Sequence, residues 1–191
     1  DVVNILTPSG LHAKHAVDIA KKYQKHIVVE KPMALKLEDA DEMIETCDRA
    51  GVRLFVVKQN RYNLPVQKLR EAMEGGRFGK LVLGTVRIRW TRHQHYYDMD
   101  DWRGTWEMDG GVLTNQASHH IDLLEWMMGE PVEVSAQTAT QLVDIEPEDT
   151  GAGIETYQIY HSTDGDSYTQ TSTSTGISYV DTGLSQVTHY Y

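Results

Sequence analysis

The chain has 191 residues, 40% of them hydrophobic, with one cysteine and a formal net charge of −10; that excludes a disordered chain and an internal disulfide framework, and fits a reducing compartment. No apolar stretch reaches the roughly 18 to 20 residues of a membrane span, and no signal peptide precedes Asp1, so a cytoplasmic protein without a membrane partner is expected. All 18 Lys and Arg lie at or before Arg103, beside 14 of the 28 Asp and Glu; they form no clustered basic surface of the kind nucleic acid needs, though a few placed cations suffice for a small phosphorylated ligand.

In chain order, residues 1–6 are a nearly continuous apolar run, the pattern of a strand buried on both faces. Thr7-Pro8-Ser9-Gly10 ends it, and a helix is expected from about Leu11 to Tyr23 with Ala16, Val17, Ile19, Ala20 and Tyr23 on its inner face. A second buried strand, 26–30, stops at Lys31-Pro32. A helix over 37–50, acidic in its early turns and closed by Gly51, leads to a third strand over 52–57. Strand, helix, strand, helix, strand reads as half of a parallel α/β sheet.

The pattern then changes. A helix is expected over 65–74, with Pro at its start and Gly75-Gly76 at its end. Residues 80–90 alternate, with Val82, Val86, Ile88 and Trp90 facing one way and Arg87 and Arg89 the other, which predicts a half-buried antiparallel strand. A loop rich in His, Tyr and Asp runs to Arg103; its His93, His95, Asp98, Asp100 and Asp101 match no common ligand spacing, and no metal is expected. Gly110-Gly111 precedes a helix over 118–128, followed by strand-like residues 132–143. Past Gly151, residues 156–161, the turn Asp164-Gly165 and residues 168–175 suggest an antiparallel hairpin, with two further short strands over 176–181 and 188–191. The expected domains are 1–59, 60–151 and 152–191.

Thr7-Pro8-Ser9-x-x-His12, Glu30-Lys31-Pro32 and Gly110-Gly111-Val-Leu113-x-Asn115-x-Ala-Ser-His119-x-x-Asp122 resemble the motifs of the Gfo/Idh/MocA oxidoreductases. Trp102-Arg103-Gly104-Thr105 and 115–120 narrow the similarity to UDP-N-acetyl-2-amino-2-deoxyglucuronate 3-dehydrogenases, over about residues 1–151. The resemblance implies the C-terminal half of a Rossmann-type parallel sheet, then part of an α+β, mainly antiparallel substrate domain. It also implies NAD as cofactor, a UDP-sugar as substrate and the homotetramer common among relatives. The sequence holds no G-x-G-x-x-G, and impaired NAD binding and activity are expected on that ground. Residues 153–191 resemble part of a fibronectin type III β-sandwich, with Ser178-Tyr179-x-Asp181-Thr182-Gly183-Leu184 like the approach to its tyrosine corner. A binding or spacer module on a scaffold, or a chimeric fragment without a function of its own, are the alternatives to an enzyme.

Within that resemblance, Lys31 and His119 are the catalytic candidates. A lysine at a strand's carboxyl end can move a substrate hydroxyl proton, and its bond to the next proline is often cis in the family. From the residues alone, a surface lysine closing a strand is the favoured reading of Lys31, and the resemblance reverses it. His119 is either a proton acceptor or a helix cap. Thr7, Pro8, Ser9, His12, Glu30 and Lys31 match the cofactor-binding positions. Lys31, Asn60, Arg61, Arg103, Asn115 and His119 are the substrate-binding candidates, the arginines suiting a uronate carboxylate or a diphosphate. Asn115 stands where most relatives carry Asp.

Overall fold

A computed structural model of the chain describes residues 1–131, 133–152, 157–162 and 168–174. Two compact units make it up: residues 1–130 with 138–151, and residues 131–137 with 152–191.

The first unit opens with the expected alternation. Strands β1 (Val2–Ile5), β2 (His26–Val29) and β3 (Leu54–Val56) form one parallel sheet in the order β1-β2-β3. Helices α1 (His12–Tyr23) and α2 (Leu37–Ala50) are the crossovers and pack side by side. The register aligns Ile5 with Val29 and Val29 with Val56, and Val3 with Ile27 and Ile27 with Leu54. One sheet face therefore carries the aliphatic side chains, closed by Ala16, Val17, Ala20, Met43 and the free Cys47. Burying each larger side chain there contributes about 1.5–3 kcal/mol.

β1 is not buried on both faces: its other face is open, with Val2 55% exposed, and Phe55 of β3 is 47% exposed on that side. Both crossover helices occupy one side of the sheet, so apolar residues of either parity satisfy the sequence pattern while only one parity is covered. Tyr23 is likewise exposed at the end of α1, and His12, which the apolar pattern passed over, is buried on its inner face.

Helix α3 (Leu64–Glu74) carries Pro in its first turn. The expected strand over 80–90 is not a strand; the segment has no ladder. It lies against a later helix, α5 (Ser118–Met128), where a Cβ added to Gly84 would meet Met128 and Leu124 at 2.9 and 3.0 Å. Alternation supplied the two faces, but the segment packs on a helix rather than pairing with another strand. The loop to Arg103 contains a short helix, α4 (Gln94–Tyr97). Residues 111 and 112 are already helical, and a π-helical turn, Leu113–Ala117, runs straight into α5. The helical run thus starts well before Ser118. Its first N–H groups are satisfied from far along the chain: Val112 donates to the Glu148 carbonyl at 3.1 Å and Leu113 to its carboxylate at 3.0 Å. Gly110 and Gly111, at φ 83° and 86°, make the entry, and a side chain on Gly111 would strike that carboxylate.

Of the strand expected over 132–143, the described residues form only β4 (Gln137–Ala139), paired with β5 (Thr150–Ala152). The loop between them is held by Asp149, whose carboxylate accepts the backbone N–H groups of Gln141, Leu142 and Val143. In the second unit β6 (Tyr157–Ser162) and β7 (Tyr168–Ser174) form the expected antiparallel pair, with a bulge at Ile159/Tyr160. The Asp164-Gly165 turn and the strands expected over 176–181 and 188–191 lie outside the described residues.

Candidate active site

The carboxyl ends of β1 and β2 open onto a cleft, the place where open α/β sheets hold ligands. Leu6, Thr7, Pro8, Ser9 and His12 line one wall, Glu30 and Lys31 the floor, and Tyr96, Asp100, Trp102, Arg103 and Asn115 the opposite side. The walls touch directly. Gly10 N–H donates to the Met108 carbonyl at 3.0 Å, and a Cβ on Gly10 would lie 2.1 Å from the Glu107 carbonyl oxygen. Only glycine fits that approach.

Lys31 follows β2, and its bond to Pro32 is cis. Its Nζ donates to the backbone carbonyl and to the side-chain Oδ1 of Asn115, both at 2.8 Å. Burial pushes the Lys31 amine below its usual value; Glu30 and Asp109 oppose the shift and Arg92 adds to it. Asn115, 8% exposed, has its other end engaged too: Nδ2 donates to Asp109 Oδ1. Asp109, 3% exposed, accepts the Gly104 N–H through its second oxygen at 2.9 Å. Asn115, a substrate candidate from the sequence, lines the cleft, and both ends of its amide are bound within the protein. Asp109 was missed altogether, since a lone acidic residue before Gly110-Gly111 gives no sign that it turns inward.

His119 lies one helical turn beyond Asn115. Burial lowers its pKa from the ordinary histidine value, and the positive charges of Lys31, His120 and Lys58 push the same way. The Gln59 amide nitrogen is 3.5 Å from its Nε2. His119 is mid-helix rather than a cap, and it is not among the residues lining the cleft; it stands beside Lys31 electrostatically.

The other candidates divide. His12 is 1% exposed and bridges two loops, its ring nitrogens 2.7 Å from the Pro32 carbonyl and 2.8 Å from the Thr7 carbonyl. Glu30 accepts the Lys31 backbone N–H, and Thr7 contacts His15. Arg61 binds both oxygens of Asp122 through Nε and Nη2 at 2.8 and 2.7 Å, and its guanidinium lies over Trp126 at 5.0 Å. Burial alone would raise the Asp122 carboxyl, but Arg61 and Lys58 outweigh it and hold it below the usual carboxylate range. Asn60 bonds with Asn63, outside the cleft. Arg103 lies in the cleft between Tyr96 and Trp102, at 4.5 and 4.7 Å from their ring centres, and is tied to Asp100.

Residues 1–58 match the family model of the oxidoreductase family with an NAD-binding Rossmann fold, and residues 66–161 match the GFO/IDH/MocA C-terminal domain. The chain belongs to the Gfo/Idh/MocA oxidoreductases. NAD, the cofactor expected from the sequence, is the one its Rossmann family binds. The WlbA dehydrogenase of Bordetella pertussis, solved with NADH and UDP-GlcNAcA, is 53% identical with a TM-score of 0.75, over 79% of this chain and 47% of that one. The Chromobacterium violaceum WlbA dehydrogenase, solved with the same two ligands, is 51% identical with a TM-score of 0.75, over 79% and 44%. The 1-carboxy-3-chloro-3,4-dihydroxycyclohexa-1,5-diene dehydrogenase of Comamonas testosteroni is 37% identical over 143 residues, 71% of this chain and 34% of that protein. The chain thus spans about a third to a half of the relatives it matches. The fibronectin-type and chimeric readings of the tail gain no support here, since the family match continues through residue 161. Among the described residues no helix is long and apolar enough to cross a membrane.

Proposed function

We propose that this chain carries the catalytic lysine of an NAD-dependent dehydrogenase that oxidises the C3 hydroxyl of a UDP-linked N-acetylaminouronate. The observation that carries the reading is the Lys31 amine, part-buried in the cleft with both oxygens of Asn115 at 2.8 Å. An uncharged amine has two N–H bonds and one lone pair. Asn115 engages both N–H bonds, so the lone pair is what remains for a substrate hydroxyl. Burial favours that uncharged form.

NAD, when bound, supplies the acceptor for the hydride leaving C3. Thr7, Pro8, Ser9 and Glu30 would hold it, a polar set at the carboxyl ends of two parallel strands. Lys31 takes the hydroxyl proton as the C–H bond breaks, leaving a ketone. His119, also favoured in its neutral form, lies outside the cleft lining and is assigned no proton step. Arg103 suits a carboxylate or diphosphate at the outer end of the cleft. The two WlbA complexes with UDP-GlcNAcA support the substrate class.

This chain, without a G-x-G-x-x-G loop, is expected to form NADH from NAD and UDP-GlcNAcA only slowly, and Lys31→Met to lower kcat by about 100-fold or more further with a smaller change in KM. A Lys31→Met rate within threefold of the unsubstituted protein defeats the assignment. Equal turnover of the free sugar acid without its nucleotide defeats the substrate class.

A further inference from the structure

Asp109 is a buried acidic group beside the cleft that the proposed chemistry leaves unused. Its carboxylate can only accept hydrogen bonds, and it takes one from Gly104 N and one from Asn115 Nδ2. A side-chain amide has a donor end and an acceptor end, and nothing in its own shape decides which faces a neighbour. Here a pure acceptor on one side fixes the choice: Nδ2 must face Asp109, so Oδ1 must face Lys31. Turned over, the amide would set its own N–H groups against the Lys31 amine and its oxygen against a carboxylate.

We propose that Asp109 is a positioning residue for Lys31, acting through the side-chain amide of Asn115. This rests on the reading of Lys31 as the base. The relay runs from the Gly104 backbone through Asp109 and Asn115 to the Lys31 amine, and it spans the cleft from the segment before Gly110 to the end of β2. It aims the amine without pairing with it, because one neutral group separates the anion from the nitrogen. The other charged groups acting on Lys31 are Glu30, Arg92 and His119; none of them makes a hydrogen bond to its amine among the contacts of the described residues.

The test is the reactivity of the amine, read on the full chain by brief acetylation with acetic anhydride and mass spectrometry. Asp109→Asn keeps the shape, removes the charge and offers Asn115 a partner with no preferred end. The acetylation rate of Lys31 relative to exposed Lys14 is expected to rise about tenfold at neutral pH, because the lost negative charge no longer favours the protonated amine. A general loosening would move both lysines together. A Lys31 to Lys14 ratio changed less than twofold in a folded Asp109→Asn protein overturns the proposal. Should that variant not fold, the unsubstituted protein decides the matter. Its Asn115 carboxamide protons, followed by NMR with labelled asparagine, are expected to exchange at least about tenfold more slowly than those of exposed Asn63; equal rates overturn the proposal. Neither readout depends on hydride transfer, so the relay and the base assignment can fail separately.

Discussion

The helical run 113–128 serves two cation–carboxylate clusters, built in opposite ways. At Asp122 the cations are bound directly: Arg61 with two hydrogen bonds and Lys58 at 3.2 Å. At Asn115, two turns earlier, an amide stands between the carboxylate of Asp109 and the amine of Lys31. A direct pair stabilises both charged forms and withholds the cation's protons from chemistry. An interposed amide keeps the anion close enough to orient the nitrogen and leaves burial to favour the neutral amine. The Asp122 cluster ties residues 58–61 to α5, whereas the Asp109 cluster holds a group in a state it can leave. Proximity of unlike charges is therefore a poor guide to function, and what lies between them is a better one.

Three experiments would break or sharpen that contrast. The largest effect on stability is expected from Asp122→Asn, which strands two cations against a nearly buried side chain and should cost about 2 kcal/mol in urea denaturation at neutral pH, below the figure for a fully buried pair because Arg61 and Lys58 are part-exposed. The Asp122 carboxyl is depressed in the fold, so its contribution is present above the ordinary value of 3.8 and lost as pH falls through the folded value. The penalty of Asp122→Asn should shrink on acidification; a constant penalty would show that packing, not charge, holds the cluster. Arg61→Lys keeps the charge but loses the two-point grip and much of the contact with Trp126, and about 1 kcal/mol is expected from the same measurement. The smallest effect is a slope. The Lys31 amine is lowered in the fold, so the unfolded chain binds more protons between the folded value and the ordinary 10.5. Stability relative to Lys31→Met should rise as pH climbs through that window, and a flat or falling difference would count against the burial of the amine.

Much of this architecture is legible in the sequence where local pattern and tertiary packing agree. The parallel β1-β2-β3 order follows from the alternation of short apolar runs and helices, and α2 begins and ends at the expected residues. Local pattern fails where the partner is distant. Nothing near Val112 announces that Glu148 will start the helix, and nothing near 80–90 says that its partner is α5 instead of a strand. At and beside the cleft, the residue types at 31, 103, 115 and 119 are visible as motifs, yet their division of labour is not. Arg61 and Arg103 read alike in one dimension; a buried carboxylate claims one, and two aromatic rings frame the other. Asp109 carries no motif, because its meaning lies in the amide it faces.

The contact between Gly10 and the Glu107–Met108 backbone fixes how the cleft can breathe. Main chain meets main chain there, with the Met108 thioether beside it, so the loop after β1 and the segment leading to Asp109 have little room to part. That close approach holds the loop after β1 at a fixed spacing from the Tyr96 and Trp102 side of the cleft, so the width left for a ligand is set by backbone and not by a rotamer.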